Sequence, residues 1–326
     1  MFTTYKKSFL MIGLLLTFML VMVGCGAANK EKTEEPKDEA TKTEEAKTVT
    51  VEHAMGTTEV PAEAKKVVIL TNEGTEALLA MGVTPVGAVN SWTGDPWYDH
   101  ITDEMKDVTP VGTESEVNVE AIAALEPDLI IGNKMRQEAV YEQLNAIAPT
   151  VFAETLRGEW QENFKLYAQA LNKVDEGEKV LAEYDARIKE FSTALGDKID
   201  TKVSIVRFMA DHARIYHKDS FSGVILEQIG LKRPQEQDLP DFMEKATKER
   251  IPAMEGDILF YFTYEPGDGA ATKNEEEWIN DPLFKNLEVA KAGKVYKVDD
   301  TIWNTAGGVL AANLLLDDLE KHFLEQ

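Results

Sequence analysis

Cysteine and histidine are scarce in this sequence, and their scarcity argues against several kinds of site. Cys25 is the one cysteine among 326 residues, so the chain has no internal disulfide. Its five histidines are dispersed, and neither an HExxH motif nor a cysteine-rich metal site occurs. A Walker A motif, a complete GxGxxG fingerprint and a GxSxG elbow are also missing. Zincin, P-loop, dinucleotide-binding and serine-hydrolase functions therefore find no support.

Cys25 lies at the end of a short apolar run near the N-terminus. Two lysines precede the mostly apolar run 9–23, and Gly24 comes directly before the cysteine. A charged segment, an apolar segment and a small residue before a processing point are the parts of a signal peptide. The run is too short to span about 30 Å of hydrocarbon comfortably. We therefore expect residues 1–24 to be removed from the mature chain.

The sequence Met22-Val23-Gly24-Cys25 resembles the lipobox of bacterial lipoproteins, which implies a diacylglyceryl anchor on Cys25. The segment that follows, 26–47, contains no aromatic and no large aliphatic residue, so it cannot offset the entropy of ordering. We expect 25–47 to be a lipidated, disordered tether that holds a folded body at the extracytoplasmic face of the cell membrane. An ordinary signal peptide with an incidental cysteine is the alternative.

The folded body is strongly acidic. Residues 48–326 carry the whole formal net charge of −24, because the signal peptide and the tether cancel each other. Such a surface argues against nucleic acid and an anionic membrane face as partners, and it suits a basic protein partner. The body is long for one hydrophobic core, which predicts two lobes. We expect it to be a monomer, since a tethered receptor needs no second copy.

Short apolar strands alternate with amphipathic helices along the body. Strands are predicted at 67–70, 85–89, 128–131, 203–209 and 258–262. Helices are predicted between them, among others at 76–81, 120–125 and 223–229. This alternation is typical of an α/β fold with mainly parallel sheets covered by helices. We predict an N-terminal lobe at 48–157 and a C-terminal lobe at 199–326.

A helical stretch at 158–198 separates the two sets of strands. Apolar residues recur at steps of three and four from Trp160 to Leu195, and Gly196 provides a stop. A continuous connecting helix here would be about 54 Å long at 1.5 Å per residue, with a bend at 175–177 as a variant. Two separate core helices fit the same stripe.

The two halves of the body echo each other. The segment EAIAALEPDLII at 120–131 is matched by ERIPAMEGDILF at 249–260. Upstream, LAMGVTP at 79–85 is matched by EQIGLKRP at 227–234. The motifs come in the same order in both halves, which indicates two similar α/β lobes that face each other across a cleft.

Two glutamates occupy equivalent places in this echo. Asn118 and Thr247 precede Glu120 and Glu249 by two residues and can act as helix N-caps. Both glutamates are therefore predicted in the first turns of equivalent helices. Acids at these positions also complement the helix dipole, so the pattern alone leaves a purely structural role open.

The body carries four blocks in this order: EHAMGTTEVPAEAKKVVIL, EALLAMGVTPVGA, VNVEAIAALEPDLIIGNKMRQE and FSGVILEQIGLKRPQ. Together they resemble the substrate-binding lipoproteins of ABC importers for ferric siderophores and vitamin B12. The resemblance implies two Rossmann-like lobes, one long helix joining them, limited hinge motion, and capture of an iron chelate in the cleft. It also implies that Glu120 and Glu249 dock onto arginines of the permease transmembrane subunits.

Arginines near strand ends are the candidate ligand-binding residues, because ligands of open α/β sheets bind beyond the carboxyl ends of the strands. Arg136 lies past the strand 128–131, Arg207 lies near the end of 203–209, and Arg214 lies in the following turn. A guanidinium fork can bind two oxygens of a carboxylate, hydroxamate or catecholate. The resemblance supports Arg136 and Arg207 most directly. Surface salt bridges are the alternative.

Three aromatic residues each follow a predicted strand and are candidates for apolar walls of the cleft: Trp92, Tyr264 and Trp303. Ordinary packing is the alternative for each of them. Arg157 is a weaker candidate. We predict neither a catalytic residue nor a cofactor, and no protein side chain as a direct metal ligand, because the chelator itself coordinates the iron.

The predicted function is capture of an anionic ferric siderophore and its delivery to an ABC permease, with no enzymatic activity. A citrate-derived chelate such as ferric citrate or a citrate-hydroxamate is preferred. Two alternatives stay open. A binding protein for bare Fe, Zn or Mn would need convergent histidine, tyrosine or carboxylate ligands in the cleft. An exported lipoprotein enzyme would need a nucleophile or an acid/base constellation.

Overall fold

The computed structural model describes residues 47–156 and 158–325. The predicted signal peptide, Cys25 and nearly all of the tether lie outside the described residues, and so does Arg157. Across the described ranges, no helix combines the length and the apolar character needed to span a membrane.

The N-terminal lobe is built on a parallel sheet. Its strands are β1 (Thr48–His53), β2 (Gly56–Pro61), β3 (Val67–Ile69), β4 (Gly87–Ala88), β5 (Thr109–Pro110), β6 (Gly112–Thr113), β7 (Glu116–Val117), β8 (Leu129–Asn133) and β9 (Thr150–Ala153). The five-stranded sheet has the order β5-β4-β3-β8-β9, and all its neighbours are parallel. Strands β3, β8 and β9 are buried throughout, which explains their continuous apolar runs. The pairs β1-β2 and β6-β7 are antiparallel hairpins outside this sheet.

Side-chain caps start several helices of this lobe. The helices are α1 (Asn72–Ala80), α2 (Val119–Ala124), α3 (Lys134–Gln137) and α4 (Tyr141–Asn145). The Thr71 side chain accepts a hydrogen bond from the backbone N–H of Gly74, and that of Asn118 accepts one from Ala121. Helix α2 therefore begins at the cap that the sequence predicts.

The predicted connector at 158–198 forms two helices, α5 (Trp160–Ala170) and α6 (Val174–Leu195), and not one. The chain breaks at Asn172, whose φ of 53° is the left-handed conformation that asparagine tolerates better than most residues. Gly177 lies inside the continuous helix α6. A Cβ atom there would lie 2.7 Å from Cβ of Ala168, so the glycine lets α5 and α6 approach closely. The longer helix, α6, spans about 33 Å.

The C-terminal lobe contains a mixed sheet. Its strands are β10 (Val203–Phe208), β11 (Ala213–Tyr216), β12 (Met243–Ala246), β13 (Ile258–Thr263) and β14 (Val295–Lys297), in the order β12-β11-β10-β13-β14. Strands β10, β13 and β14 are parallel, but β11 and β12 pair antiparallel. The two five-stranded sheets are thus mainly parallel, as the sequence predicts, and the antiparallel pairing is confined to this edge. The link 209–212 is long enough for a hairpin, whereas a parallel crossover needs a dozen or more residues.

The helices of this lobe are α7 (Phe221–Ile229), α8 (Ala270–Ile279), α9 (Pro282–Lys285), α10 (Glu288–Lys291) and α11 (Val309–Phe323). Two further segments bear on the site, a 3-10 helix at Lys248–Met254 and a π-helix at Thr301–Thr305. Helix α7 starts two residues before the predicted start at 223, is capped by Ser220 and ends at Gly230 in the left-handed conformation.

Helix α11 packs between the lobes. It contacts α1 of the N-terminal lobe, α7 of the C-terminal lobe and the connecting helix α6. The largest hydrophobic cluster accordingly combines residues of both lobes with residues of α5, α6 and α11. Two smaller clusters lie within single lobes. The two-lobed α/β fold is therefore confirmed, while the exact lobe boundaries at 48–157 and 199–326 stay predictions.

Candidate ligand-binding cleft

A cavity of about 310 Å³ lies between the two lobes. The N-terminal lobe lines it with Glu73, Trp92, Glu114, Arg136 and Leu156. The C-terminal lobe lines it with Arg207, Met209, Arg214, Phe221, Phe242, Tyr264, Asn304, Thr305, Ala306 and Gly307. Most of these residues lie at or just beyond the carboxyl ends of strands, which is where open α/β sheets bind ligands. The volume lies within the usual range for small-molecule sites.

The cavity brings together the three arginines selected from the sequence. Arg136, in α3, is the most accessible of them, with 40% of its side chain exposed. Its Nε lies 3.8 Å from Oε2 of Glu114, and its Cζ lies 5.7 Å from the centroid of the Trp92 ring. The Arg136 guanidinium group can therefore bind an anion without first breaking a short ion pair.

Arg207 is 5% exposed and held in place by Asp300. Its Nε and Nη2 donate to Oδ1 and Oδ2 of Asp300 at 2.6 and 2.8 Å, and its Nη1 lies 3.4 Å from the Tyr216 hydroxyl. The Tyr264 ring covers the guanidinium at 4.9 Å from Cζ to centroid. Burial opposes its charge, but Tyr216 and Asp300 raise the pKa of Arg207 above its usual range. Arg207 is thus a fixed cation whose fork is already occupied.

Arg214 lies on β11 and not in the turn where the sequence places it, because the strand begins one residue earlier at Ala213. Its Nε donates to Nε2 of His212 at 3.4 Å. The side chain still lines the cavity from the C-terminal lobe. The backbone of Arg214 pairs antiparallel with β10 and with β12. Its side chain adds a third cation to the cavity.

Two of the three candidate aromatic residues line the cavity, and the third does not. Trp92 and Tyr264 face it from opposite lobes. Trp303 is wholly buried in the core, where its ring lies 4.7 Å from that of Phe260 and its Nε1 donates to Asp318 at 2.9 Å. The prediction that Trp303 forms a cleft wall is wrong. The chain turns helical at 301–305 and carries this side chain inward.

Sequence reasoning missed Glu73, a buried acid in the first turn of α1. Its Oε1 accepts hydrogen bonds from Nδ2 of Asn163 at 2.7 Å and from the Tyr167 hydroxyl at 2.8 Å. Burial raises the pKa of Glu73 to about 8. The signal was present, since Glu73 comes shortly after β3 and satisfies the same strand-end rule that selects the arginines.

Glu114 is a second buried acid that the sequence did not reveal. It lies in the turn between β6 and β7, and its Oε1 accepts from the backbone N–H and the Nδ2 of Asn72 at 2.7 and 2.8 Å. Burial raises the pKa of Glu114, although the bonds from Asn72 and the charge of Arg136 oppose that shift. The cavity therefore combines three cations with two buried carboxyl groups.

Glu120 and Glu249 are exposed and lie outside the cavity, one on each lobe. Glu120 lies in the first turn of α2, and Glu249 lies in the first turn of the 3-10 helix 248–254. The helices differ in type, and Pro252 lies inside the second one. The sequence predicts a capping hydrogen bond to the Thr247 side chain, and the structure has none. The Thr247 hydroxyl instead donates to the Glu249 carboxylate. This bond lowers the pKa of Glu249, which favours the anion.

A bare metal ion would need several protein ligands close together. Residues 47–156 and 158–325 contain no group of three or more histidine, cysteine, aspartate or glutamate side chains placed to hold one. The bare-ion alternative therefore gains no support from this part of the chain.

Comparisons with known proteins agree with the geometry. A family model described as periplasmic binding protein matches residues 67–301. The chain is 49% identical to the probable siderophore-binding lipoprotein YfiY of Bacillus subtilis (strain 168), over 98% of this chain and 99% of that protein. It is 29% identical to the Fe(3+)-citrate-binding protein YfmC of the same organism, over 98% of each.

A solved structure extends the likeness to three dimensions. The match is to the crystal structure of Staphylococcus aureus SirA complexed with staphyloferrin B, with a TM-score of 0.79 and 37% sequence identity. It covers 84% of this chain and 98% of that chain. The resemblance to siderophore-binding lipoproteins is thereby confirmed, and the chain belongs to the periplasmic binding protein family.

Proposed function

We propose that this chain is the extracytoplasmic receptor of an ABC importer, which captures an anionic ferric siderophore between its lobes and delivers it to the permease. The observation that carries the proposal is the convergence of Arg136, Arg207 and Arg214 on one cavity. In a body with a formal net charge of −24, guanidinium groups gathered at one place favour an anionic ligand locally where the overall charge would repel it. Arg136 and Arg214 supply most of this attraction, because Asp300 balances the charge of Arg207.

The three arginines differ in what they can contribute. Arg207 is a fixed cation, because Asp300 occupies two of its donors and balances its charge. Arg136 and Arg214 are less buried and can offer donors to carboxylate, hydroxamate or catecholate oxygens. Trp92 and Tyr264 provide flat walls on either side. The iron is cargo and stays coordinated by the chelator, so the function requires no enzymatic step.

A citrate-derived chelate is the preferred ligand class. One relative is named for binding Fe(3+)-citrate, and the SirA structure contains staphyloferrin B. Carboxylate-rich chelates present paired oxygens that match a guanidinium fork. The shape of the cavity decides which siderophore binds. Titration with a panel of ferric chelates identifies the preferred class.

Delivery is proposed to use the two exposed glutamates. Glu120 and Glu249 place one carboxylate on each lobe, outside the cavity, so both remain accessible when ligand is bound. We propose that they engage arginines of the permease transmembrane subunits. A lipid anchor at Cys25 would keep the monomeric receptor beside that permease, and YfiY is itself named a lipoprotein.

A fluorescence titration tests the ligand class. Trp92 lines the cavity, so binding of a coloured ferric chelate should quench its emission. The panel comprises ferric citrate, ferric staphyloferrin B, a ferric trihydroxamate and a ferric tricatecholate, each with its iron-free form as a control. Saturable quenching by at least one carboxylate chelate is expected. Quenching by none of the four ferric complexes would refute the proposal.

A further inference from the structure

Glu73 has one oxygen fixed by the protein and one that is left over. Both Asn163 and Tyr167 donate to Oε1, and both belong to α5. Oε2 receives no hydrogen bond from residues 47–156 or 158–325, although Glu73 lines the cavity and is 7% exposed. The carboxyl group is therefore oriented by α5, and as far as the described residues go its second oxygen is left for whatever fills the cavity.

An ionised carboxylate at this position would repel an anionic chelate. The pKa of Glu73 is raised to about 8, chiefly by burial and with help from the nearby carboxyl groups of Glu114 and Glu76, against the bonds from Tyr167 and Asn163, which lower it. The cations that line the same cavity are Arg136, Arg207 and Arg214. At neutral pH the acid is mostly uncharged, and a neutral carboxyl group is a hydrogen-bond donor.

We infer that Glu73 binds the ligand as a neutral carboxylic acid, with Oε2–H donating a hydrogen bond to an anionic oxygen of the ferric chelate. The proton belongs on Oε2 because Oε1 already accepts two hydrogen bonds. This assignment rests on the proposed function and adds a residue that the arginine pattern does not reveal. It also makes a proton part of the bound complex.

The consequence is a pH-dependent affinity. Only the fraction of receptors with a neutral Glu73 binds the chelate in this way, so the apparent Kd is the intrinsic value divided by that fraction. With a pKa of about 8, roughly a tenth of the receptors are competent at about pH 9. The apparent Kd should therefore rise about tenfold between about pH 7 and about pH 9.

The test compares the wild-type protein with Glu73→Gln, using ferric staphyloferrin B as the probe. Glutamine has a carbonyl oxygen for the bonds from Asn163 and Tyr167 and an N–H for the ligand, but it does not titrate. Titrations across this pH range give the ratio of the wild-type Kd to the variant Kd, in which the chelate's own pH dependence cancels. The ratio is expected to rise about tenfold from about pH 7 to about pH 9.

A second variant checks that Glu73 itself sets the midpoint. Tyr167→Phe removes a hydrogen bond that lowers the pKa of Glu73, so the loss of affinity should move to higher pH. A purely structural role for Tyr167 would weaken binding without moving the midpoint. An unmoved midpoint in Tyr167→Phe counts against the inference.

The outcomes separate this inference from the proposed function. If the chelate binds but the ratio of the wild-type Kd to the Glu73→Gln Kd does not change between about pH 7 and about pH 9, the role of Glu73 is overturned and the proposed function stands. If Glu73→Gln does not fold, calorimetric titration of the wild type near pH 9 in two buffers of different ionisation enthalpy decides, with about one proton taken up per ligand expected and none overturning the inference. Failure of the wild type to bind the chelate at any pH rejects the proposed function, and this inference with it.

Discussion

Replacing Asp300 with asparagine should destabilise the protein by about 3 to 5 kcal/mol, because it removes the counter-charge of a buried cation. Arg207 and Asp300 are 5% and 7% exposed, and two hydrogen bonds of 2.6 and 2.8 Å join them. The asparagine side chain can satisfy part of the geometry but none of the charge. A loss of this size should lower Tm by roughly 10 °C in a chain of this length.

Denaturant unfolding measures the effect, with two further variants to interpret it. Asp317→Asn removes a 2.7 Å ion pair with Arg187, but Asp317 is largely exposed, so its loss should cost less than about 1 kcal/mol. The double variant Arg207→Met with Asp300→Leu replaces the pair by apolar side chains and should recover most of the stability.

Equal effects of Asp300→Asn and Asp317→Asn would refute the description of Arg207 as a buried cation held by Asp300. A double variant no more stable than Asp300→Asn would show that the loss comes from packing and not from an unpaired charge. In either case Arg207 could not be the fixed charge of the cleft that the proposed function assigns to it.

Further predictions concern the ligand, the permease and the anchor. Arg136→Ala should weaken binding of the preferred ferric chelate by about 1 to 3 kcal/mol, whereas Arg250→Ala, at an ion pair outside the cavity, should leave it unchanged in the same fluorescence titration. Glu120→Ala combined with Glu249→Ala should keep chelate affinity and reduce iron uptake by cells; uptake at the wild-type rate would contradict docking. Cys25→Ser should release the protein from washed membranes without changing its affinity, and retention would contradict the anchor.

The rule that ligands bind beyond strand ends selected residues that share one cavity, and their contact with ligand stays a prediction. It placed Arg136, Arg207, Trp92 and Tyr264 around one cavity, because the direction of a parallel strand fixes which end its next loop leaves from. It failed for Trp303, which also follows a strand. The rule predicts the end of the sheet at which a loop starts. It does not predict side-chain direction within the loop, and the helical turn at 301–305 directs Trp303 toward the core.

The spacing of apolar residues could not predict whether the segment 158–198 forms one helix or two. Helices α5 and α6 both pack against the same core, so their apolar stripe continues across the break at Asn172. The stripe records which face is buried and does not record where the backbone turns. A single residue in the left-handed conformation leaves no mark on the hydrophobic pattern.

The buried acids were missed for a different reason. Glu73 and Glu114 are two of many acidic residues in the sequence, and an anionic ligand favours cations as candidate site residues. Whether an acid is buried depends on the packing of distant elements: Asn163 and Tyr167 reach Glu73 from α5, far along the chain. The strand-end rule can select Glu73, but the burial that these long-range contacts produce has no local sequence signal.

The proposed receptor binds iron together with its chelator. Equilibrium dialysis tests it directly, with labelled iron and differently labelled staphyloferrin B or citrate in the same ferric complex. We predict that the protein retains both labels in the proportion of the complex, up to one complex per chain. Retention of iron without the chelator, or of neither label, would contradict the account.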